Sequence, residues 1–185
     1  MEWMSLLIRA VAHSDLSLDD LMRLRALFDG EYAQDLGDWD PKQPYGYAPH
    51  DMHVMACDDD VVVGHVGWGR REITVGERIV VVAGVGGVLV SERARGTRLG
   101  ARLMSEAVTS MRDVGGIDFG YLGCREEVVP FYRSCGWTRV VAAEQSLDRA
   151  GMPATDLPGQ PILVFPVDAS TEWPSGKVDL RGRAW

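Results

Sequence analysis

Arg95-Gly96-Thr97-Arg98-Leu99-Gly100 follows an apolar run from Ala83 to Val90 and opens a helical pattern. This is chemistry suited to a bound anion. The first backbone N–H groups of a helix have no intrahelical partner, and the dipole at that end favours negative charge. Glycines at 96 and 100 let a diphosphate approach those amides, and Arg95 and Arg98 add donors matched to phosphate oxygens. A buried strand turning into an amphipathic helix, with two arginines in water, would use the same residues. A second motif, Val-Pro-Phe-Tyr-Arg-Ser-Cys-Gly-Trp at 129 to 137, reads as a short helix ending at Gly136 before an aromatic that starts a strand. It carries Tyr132.

A third group of residues has the chemistry of a cation site. Between Asp29 and Asp40, the acids Glu31, Asp35 and Asp38 are interleaved with Tyr32 and Trp39. Carboxylates pair ammonium groups, and flat rings take sugar faces or cations, so a polyamine or amino sugar fits; a solvated acidic loop fits the spacing too. His65 lies inside an apolar strand pattern, where a lone histidine reads as hydrogen-bonded structure. His50 and His53, three apart without helical context, do not make a metal motif, and no metal is expected.

The elements that must position these residues follow from periodicity. Leu6 to Val11 reads as a strand, and Ser14 or Ser17 caps a helix whose stripe is Leu18, Leu21, Leu24, Leu27 and Phe28. Pro41 to Pro49 is a loop that could border a pocket. Met52 to Cys57 and Val61 to Glu72 predict a hairpin around Asp58-Asp59-Asp60, and Ile73 to Val75 with Ile79 to Val90 predict the next. Ile79 to Val90 is apolar on both faces and should be a central strand leading into the anion loop. A helix over Leu99 to Val114, a strand over Phe119 to Gly123, a helix over Arg125 to Cys135 and a strand over Trp137 to Ala142 follow. Ala150 to Pro161 reads as an exposed connection, and Ile162 to Val167 as a last strand whose open edge could pair between subunits to give a homodimer. The tail, 168–185, carries Trp173 and Trp185, which should fold back rather than stay in water.

The totals bound the answer. With 185 residues the chain suits one domain, 1–185, and 27 acidic against 19 basic groups give a net charge of -8. That argues against nucleic acid, whose binding rests on basic residues neutralising phosphates, and suits a cationic partner or simple solubility. Cys57, Cys124 and Cys135 are odd in number and lack a C-x-x-C spacing, so a reducing cytoplasm is expected. The start, Met1 to Asp15, has neither the basic end of a leader nor a run long enough to span a membrane, and no membrane association is expected.

The pairing of R-G-x-x-L-G after an apolar strand with F-Y-x-x-x-G-W about thirty residues later resembles the GNAT N-acetyltransferases over residues 50–142. The resemblance implies an α+β fold with a mixed, mainly antiparallel central sheet flanked by helices. It implies acetyl-CoA as cofactor, with its pyrophosphate on Arg95, Gly96, Thr97, Arg98, Leu99 and Gly100, its pantetheine along Val88, Leu89 and Val90, and Tyr132 protonating the departing thiolate. Arginine at 98 departs from the common glycine.

The whole chain also resembles the aminoglycoside 2'-N-acetyltransferases. The cues are R-G-x-R-L, the run G-H-V-x-x-x-R-R at 64 to 71, the helix ending F-x-G-E-Y, and a final D-x-R-G near a tryptophan. The tail Phe-Pro-Val-Asp-Ala-Ser-Thr-Glu-Trp-Pro-Ser-Gly is similar to that of the nodulation N-acyltransferases, which place a fatty acyl chain on a chitooligosaccharide amine. Both imply an amino-sugar acceptor, held here by Glu31, Asp35, Asp38, Trp39, Gly86, Gly87, Gly123, Arg183 and Trp185. Gly86 and Arg183 stand where the first family tends to have acids. The expected acceptor is therefore a less cationic aminoglycoside that carries a carboxylate, of the kasugamycin kind, with antibiotic resistance as the outcome. An ordered water linked to Glu31 or to the Trp185 carboxylate is the expected route for the amine's proton.

Overall fold

The computed structural model describes residues 6–185; of the N-terminal run read for a leader, residues 1–5 lie outside it. In chain order the elements are β1 (Leu7–Ala12), α1 (Leu18–Leu36), β2 (Met52–Asp58), β3 (Val61–Val75), β4 (Arg78–Val90), α2 (Leu99–Val114), β5 (Phe119–Gly123), α3 (Val129–Ser134), β6 (Thr138–Val140), β7 (Glu144–Leu147), β8 (Pro153–Asp156), β9 (Ile162–Pro166) and β10 (Val178–Arg183). The strands form one sheet ordered β6-β9-β5-β4-β3-β10-β7-β8, with β2 and then β1 added along β3. Among the strands of the described residues only β4–β5 and β10–β7 pair in parallel, so the sheet is mixed and mainly antiparallel, as the motifs imply.

Two helices cover the sheet. Ser17 caps α1 reciprocally: its hydroxyl accepts the Asp20 N–H at 3.0 Å, and the Asp20 carboxylate accepts the Ser17 N–H at 3.1 Å. Leu24, Leu27 and Phe28 of α1 then close over Met55, Cys57, Val62 and Leu89. α2 buries Leu99, Leu103, Ala107 and Met111 against Val54, Val63, Val66 and Val85. Each such leucine contributes about 1.5–3 kcal/mol by leaving water. With both faces covered, the middle of β4 has to be apolar throughout.

One irregularity in this sheet opens the site. β4 pairs β5 only through Val82, Ala83 and Gly84, opposite Phe119, Gly120 and Tyr121. Beyond Gly84, β4 runs on to Val90 with β3 on one side and, among the described residues, no strand on the other. Against β3, Gly86 pairs Gly67 and Leu89 pairs His65, so Gly87 and Val88 together oppose Val66 in a bulge.

Three expectations are corrected. β9 is not an edge, because β5 and β6 bond it on both sides, and the basis for a homodimer through it is gone. The stretch around 144–156 holds a hairpin, β7 and β8, whose short polar strands carry little periodicity. The tail does more than fold back: β10 is a strand between β3 and β7, which sets Trp185 against β4. Among the described residues no helix is long and apolar enough to cross a membrane.

Candidate functional site

The chain leaves β4 at Val90 through a 3-10 turn, Glu92–Ala94, and enters α2 at Leu99. Arg95 N–H donates to the Glu92 carbonyl at 3.2 Å, and the next backbone bond runs from Arg102 N–H to the Arg98 carbonyl, also 3.2 Å. The N–H groups of Gly96 to Ala101 therefore have no backbone partner among the described residues. Gly96 at φ +78° and Arg98 at φ +62° bend the loop so that these donors gather at the helix end. No atom lies within 4 Å of where a Gly96 Cβ would sit, and Thr97 ties the loop down by donating to the Ala94 carbonyl at 2.7 Å. Arg95 donates to the Val90 carbonyl at 3.2 Å and pairs with Glu31. The result is an open, positively polarised cradle at the free flank of β4.

Along that strand the gap widens into two adjoining cavities. One, of ≈ 460 Å³, is lined by Tyr32, Tyr45, Tyr47, His50, Gly87, Val88, Arg125 and Trp185 among others. The second, of ≈ 300 Å³, shares Tyr47, Arg125 and Trp185 and is lined on its other side by Tyr121, Gly123, Glu144 and Asp156. Glu144 and Asp156 face each other across β7–β8, a like-charge pair, and the Tyr121 hydroxyl donates to Glu144. Burial raises the Glu144 carboxyl above its ordinary range; the Tyr121 bond opposes this and Asp156 adds to it.

Tyr132 is buried between Phe131 and Trp137, with ring centroids at 5.1 and 6.5 Å. Burial first, then Cys124, Cys135 and Tyr32, raises its phenol, so it stays protonated at neutral pH. Trp185 is pinned from three directions. The Arg71 guanidinium lies 4.0 Å from its ring centroid and donates to the Arg183 carbonyl at 2.8 Å, Ala48 N–H donates to the Ala184 carbonyl at 2.8 Å, and a Cβ on Gly84 would fall inside the indole.

The expected site residues divide. Arg95 to Gly100 form the cradle, Val88 to Val90 the free strand flank, and Gly87, Gly123 and Trp185 line the cavities. Gly86 sits beneath Trp185 and His50. Glu31, expected near the acceptor, is instead held by Arg95 at the cradle. Asp35, in the last turn of α1, and Asp38, just beyond it, are exposed and line neither cavity. Trp39 is 1% exposed and stacked on Phe28 with centroids 5.0 Å apart, because the chain after α1 turns its ring into the core. Arg183 donates to the carbonyls of Gly46 at 2.9 Å and Arg149 at 2.6 Å, so its guanidinium clamps two loops.

The sequence reading missed a cluster of histidines. His13 Nδ1 lies 2.9 Å from His53 Nε2, His53 Nδ1 lies 2.9 Å from His65 Nε2, and His65 Nδ1 lies 2.7 Å from the Gly87 carbonyl. His50 adjoins them, and one nitrogen each of His50, His53 and His65 lies within 4.8 Å of the others. Burial lowers the pKa of each of these three to about 3, neighbouring rings adding to the effect. The available signal was register: Met55 pairs His65 and Val54 pairs Val66, which puts His53 and His65 diagonally on one face of β2–β3.

The family described as Nodulation protein A (NodA) matches residues 6–183. No curated protein matches the chain. Among solved structures, Escherichia coli ElaA is 21% identical with a TM-score of 0.62, covering 86% of this chain and 99% of its own. The Escherichia coli GNAT family N-acetyltransferase YhbS, solved in complex with CoA, is 16% identical with a TM-score of 0.62 and covers 95% and 89%. A GNAT family acetyltransferase from Brucella melitensis, in complex with acetyl-CoA, is 14% identical with a TM-score of 0.59 and covers 93% and 94%. At these identities the likeness is one of fold, the GNAT acyltransferase fold.

Proposed function

The chain belongs to the nodulation protein A family and has the GNAT acyltransferase fold, and from that premise we propose that it moves an acyl group, acetyl from acetyl-CoA, onto a primary amine of an amino sugar. The observation that carries this reading is the run of free N–H groups from Gly96 to Ala101 at the unpaired flank of β4, beside a cleft lined by Tyr45, Tyr47 and Trp185. Two structures of the same fold, those from YhbS and Brucella melitensis, hold CoA and acetyl-CoA, which supports the same donor here.

When bound, the cofactor supplies an activated thioester. The cradle would hold its diphosphate, and the backbone groups on the unpaired flank of Val88 to Val90, other than the Val90 carbonyl that Arg95 occupies, would receive the amides of its arm as an added strand does. Tyr132, protonated at neutral pH, gives its proton to the departing sulfur. The rings of Tyr45, Tyr47 and Trp185 take the faces of the acceptor, and Glu144 with Asp156 takes its positive charge. Holding amine and thioester in attack geometry contributes roughly 7–11 kcal/mol of the barrier reduction.

A second reading, acetylation of the 2'-amino group of an aminoglycoside with resistance as the outcome, draws on the same Glu144–Asp156 pair, whose two carboxyl groups suit an acceptor with more than one ammonium group. A kasugamycin-type drug has lost one of its two arguments, because Arg183 is occupied by loop carbonyls. Thiol release from acetyl-CoA with a chitooligosaccharide amine, kasugamycin, gentamicin, tobramycin and spermidine tests both readings. Turnover with the chitooligosaccharide amine is expected. Turnover confined to gentamicin or tobramycin would favour the second reading, and silence across the panel with acetyl-CoA bound would overturn both.

A further inference from the structure

His50 is 5% exposed, and its Nε2 is buried without a hydrogen-bond partner among the described residues. A buried polar nitrogen left unpaired is uncommon and calls for a partner that arrives later. The ring occupies space that three glycines leave. A Cβ on Gly67 would lie 2.5 Å from its Cγ, one on Gly86 would lie 3.0 Å from Nε2, and one on Gly87 would lie 3.1 Å from Cε1. A side chain at Gly67 would displace it, and one at Gly86 or Gly87 would press on it. The same ring lines the larger cavity beside Gly87, Val88 and Trp185, at the bulge where β4 has parted from β5.

We infer that His50 is the general base, its Nε2 taking one proton from the acceptor's ammonium nitrogen and so freeing the lone pair with which that nitrogen attacks the thioester. The assignment rests on the N-acyltransferase reading above. The step balances: the amine nitrogen forms a bond to the acyl carbon, the carbon–sulfur bond breaks, and sulfur leaves with a proton from Tyr132. The nitrogen sheds one proton to His50 and a second that restores Tyr132, and His50 returns its proton to solvent. The products are the amide, the free thiol and one proton.

The surroundings keep the base neutral between turnovers. His53 and His13 face it across the cluster, and His65 lies beside it with ring centroids 5.8 Å apart. Arg71 lies behind Trp185, and the neighbouring Asp51 carboxylate turns away to accept the Arg70 N–H at 2.7 Å. Among the described residues no carboxylate side chain lines the larger cavity, but the main-chain carboxyl of Trp185 lies beside Nε2, the two falling 2.7 and 3.0 Å from where a Gly86 Cβ would sit, and Arg125 and Arg149 line the same cavity. Burial, with His53 and His13, lowers the His50 pKa to about 3, so the resting ring is uncharged at neutral pH and a ring nitrogen is free to accept.

The test uses the full chain, acetyl-CoA and a chitooligosaccharide amine, with His50→Gln and His50→Gly. His50→Gln should lower kcat by about 10²-fold at pH 7 with KM for acetyl-CoA unchanged. The deficit should narrow as pH rises and free amine becomes available without a base, and imidazole should restore part of the rate to His50→Gly. Nitrogen-15 NMR of the resting protein should show Nε2 of His50 unprotonated; an Nε2–H tautomer would overturn the assignment. So would a loss that is independent of pH and falls on KM, or one transition-metal ion per chain that disappears in His50→Gln, which would make the cluster a metal site. Active wild type with an unimpaired variant defeats His50 alone, whereas wild type silent on the whole acceptor panel defeats the acyltransferase reading beneath it.

Discussion

His65 Nδ1 lies 2.7 Å from the Gly87 carbonyl, and that single bond orients every other bond in the histidine chain. A carbonyl can only accept, so Nδ1 of His65 carries the hydrogen and its Nε2 must accept from His53. His53 Nε2 in turn accepts from His13, the half-buried end of the chain. The chain thus holds a backbone carbonyl of the β4 bulge from behind, with the buried His53 and His65 rings neutral.

Those rings predict how stability depends on pH. An unfolded histidine binds a proton below a pH of about 6.5. In the folded chain His50, His53 and His65 do so only near pH 3. The unfolded state therefore holds more protons throughout that window, and stability falls as pH drops through it, by up to about 1.4 kcal/mol per pH unit for each histidine. Urea unfolding between pH 7 and pH 4 measures this, and His50→Leu should make the dependence shallower. Equal midpoints at both ends would contradict the buried neutral cluster.

Gly96→Ala should weaken the donor cradle without touching the core. Its φ of +78° disfavours a side chain, and no neighbour lies within 4 Å to clash. A cost of about 1 kcal/mol, roughly a fivefold rise in Kd for acetyl-CoA, is expected by calorimetry, with the thermal midpoint little changed.

Tyr132→Phe should lower kcat by about 10²-fold and leave acetyl-CoA affinity intact, because only the proton donor to sulfur is lost. Single-turnover thiol release resolves the two quantities. An undiminished rate would remove Tyr132 from the chemistry and leave it as packing between Phe131 and Trp137.

Glu144→Gln tests acceptor recognition. It removes one charge of the Glu144–Asp156 pair while preserving shape and the contact with Tyr121. A charge-assisted hydrogen bond is worth about 1.5–3 kcal/mol, so KM for the amine should rise more than tenfold while KM for acetyl-CoA holds. An unchanged KM for the amine would place the acceptor's charge elsewhere.

Gly84→Ala should displace Trp185, since a Cβ there would lie within the indole. The expected result is a lower thermal midpoint together with loss of acceptor turnover, because the same ring lines both cavities. Retained turnover would mean that Trp185 does not shape the cleft.

What the sequence determined by itself is the local part. The strand-to-helix turn at 90–100, helix α2 over Leu99–Val114 and strand β5 over Phe119–Gly123 were legible because their signals are periodicity and loop chemistry carried by neighbouring residues. What only the tertiary structure decided depends on residues far apart in the chain. Trp39 and Glu31 read as acceptor groups from composition, yet the turn after α1 sends one ring into the core and Arg95 claims the other carboxylate. The acids that do line a cavity, Glu144 and Asp156, lie on a hairpin too short and polar to announce itself. Four histidines spread from 13 to 65 carry no recognisable spacing. They meet because strand register sets side chains facing across a sheet, and register is fixed by the buried face as a whole rather than by any one strand.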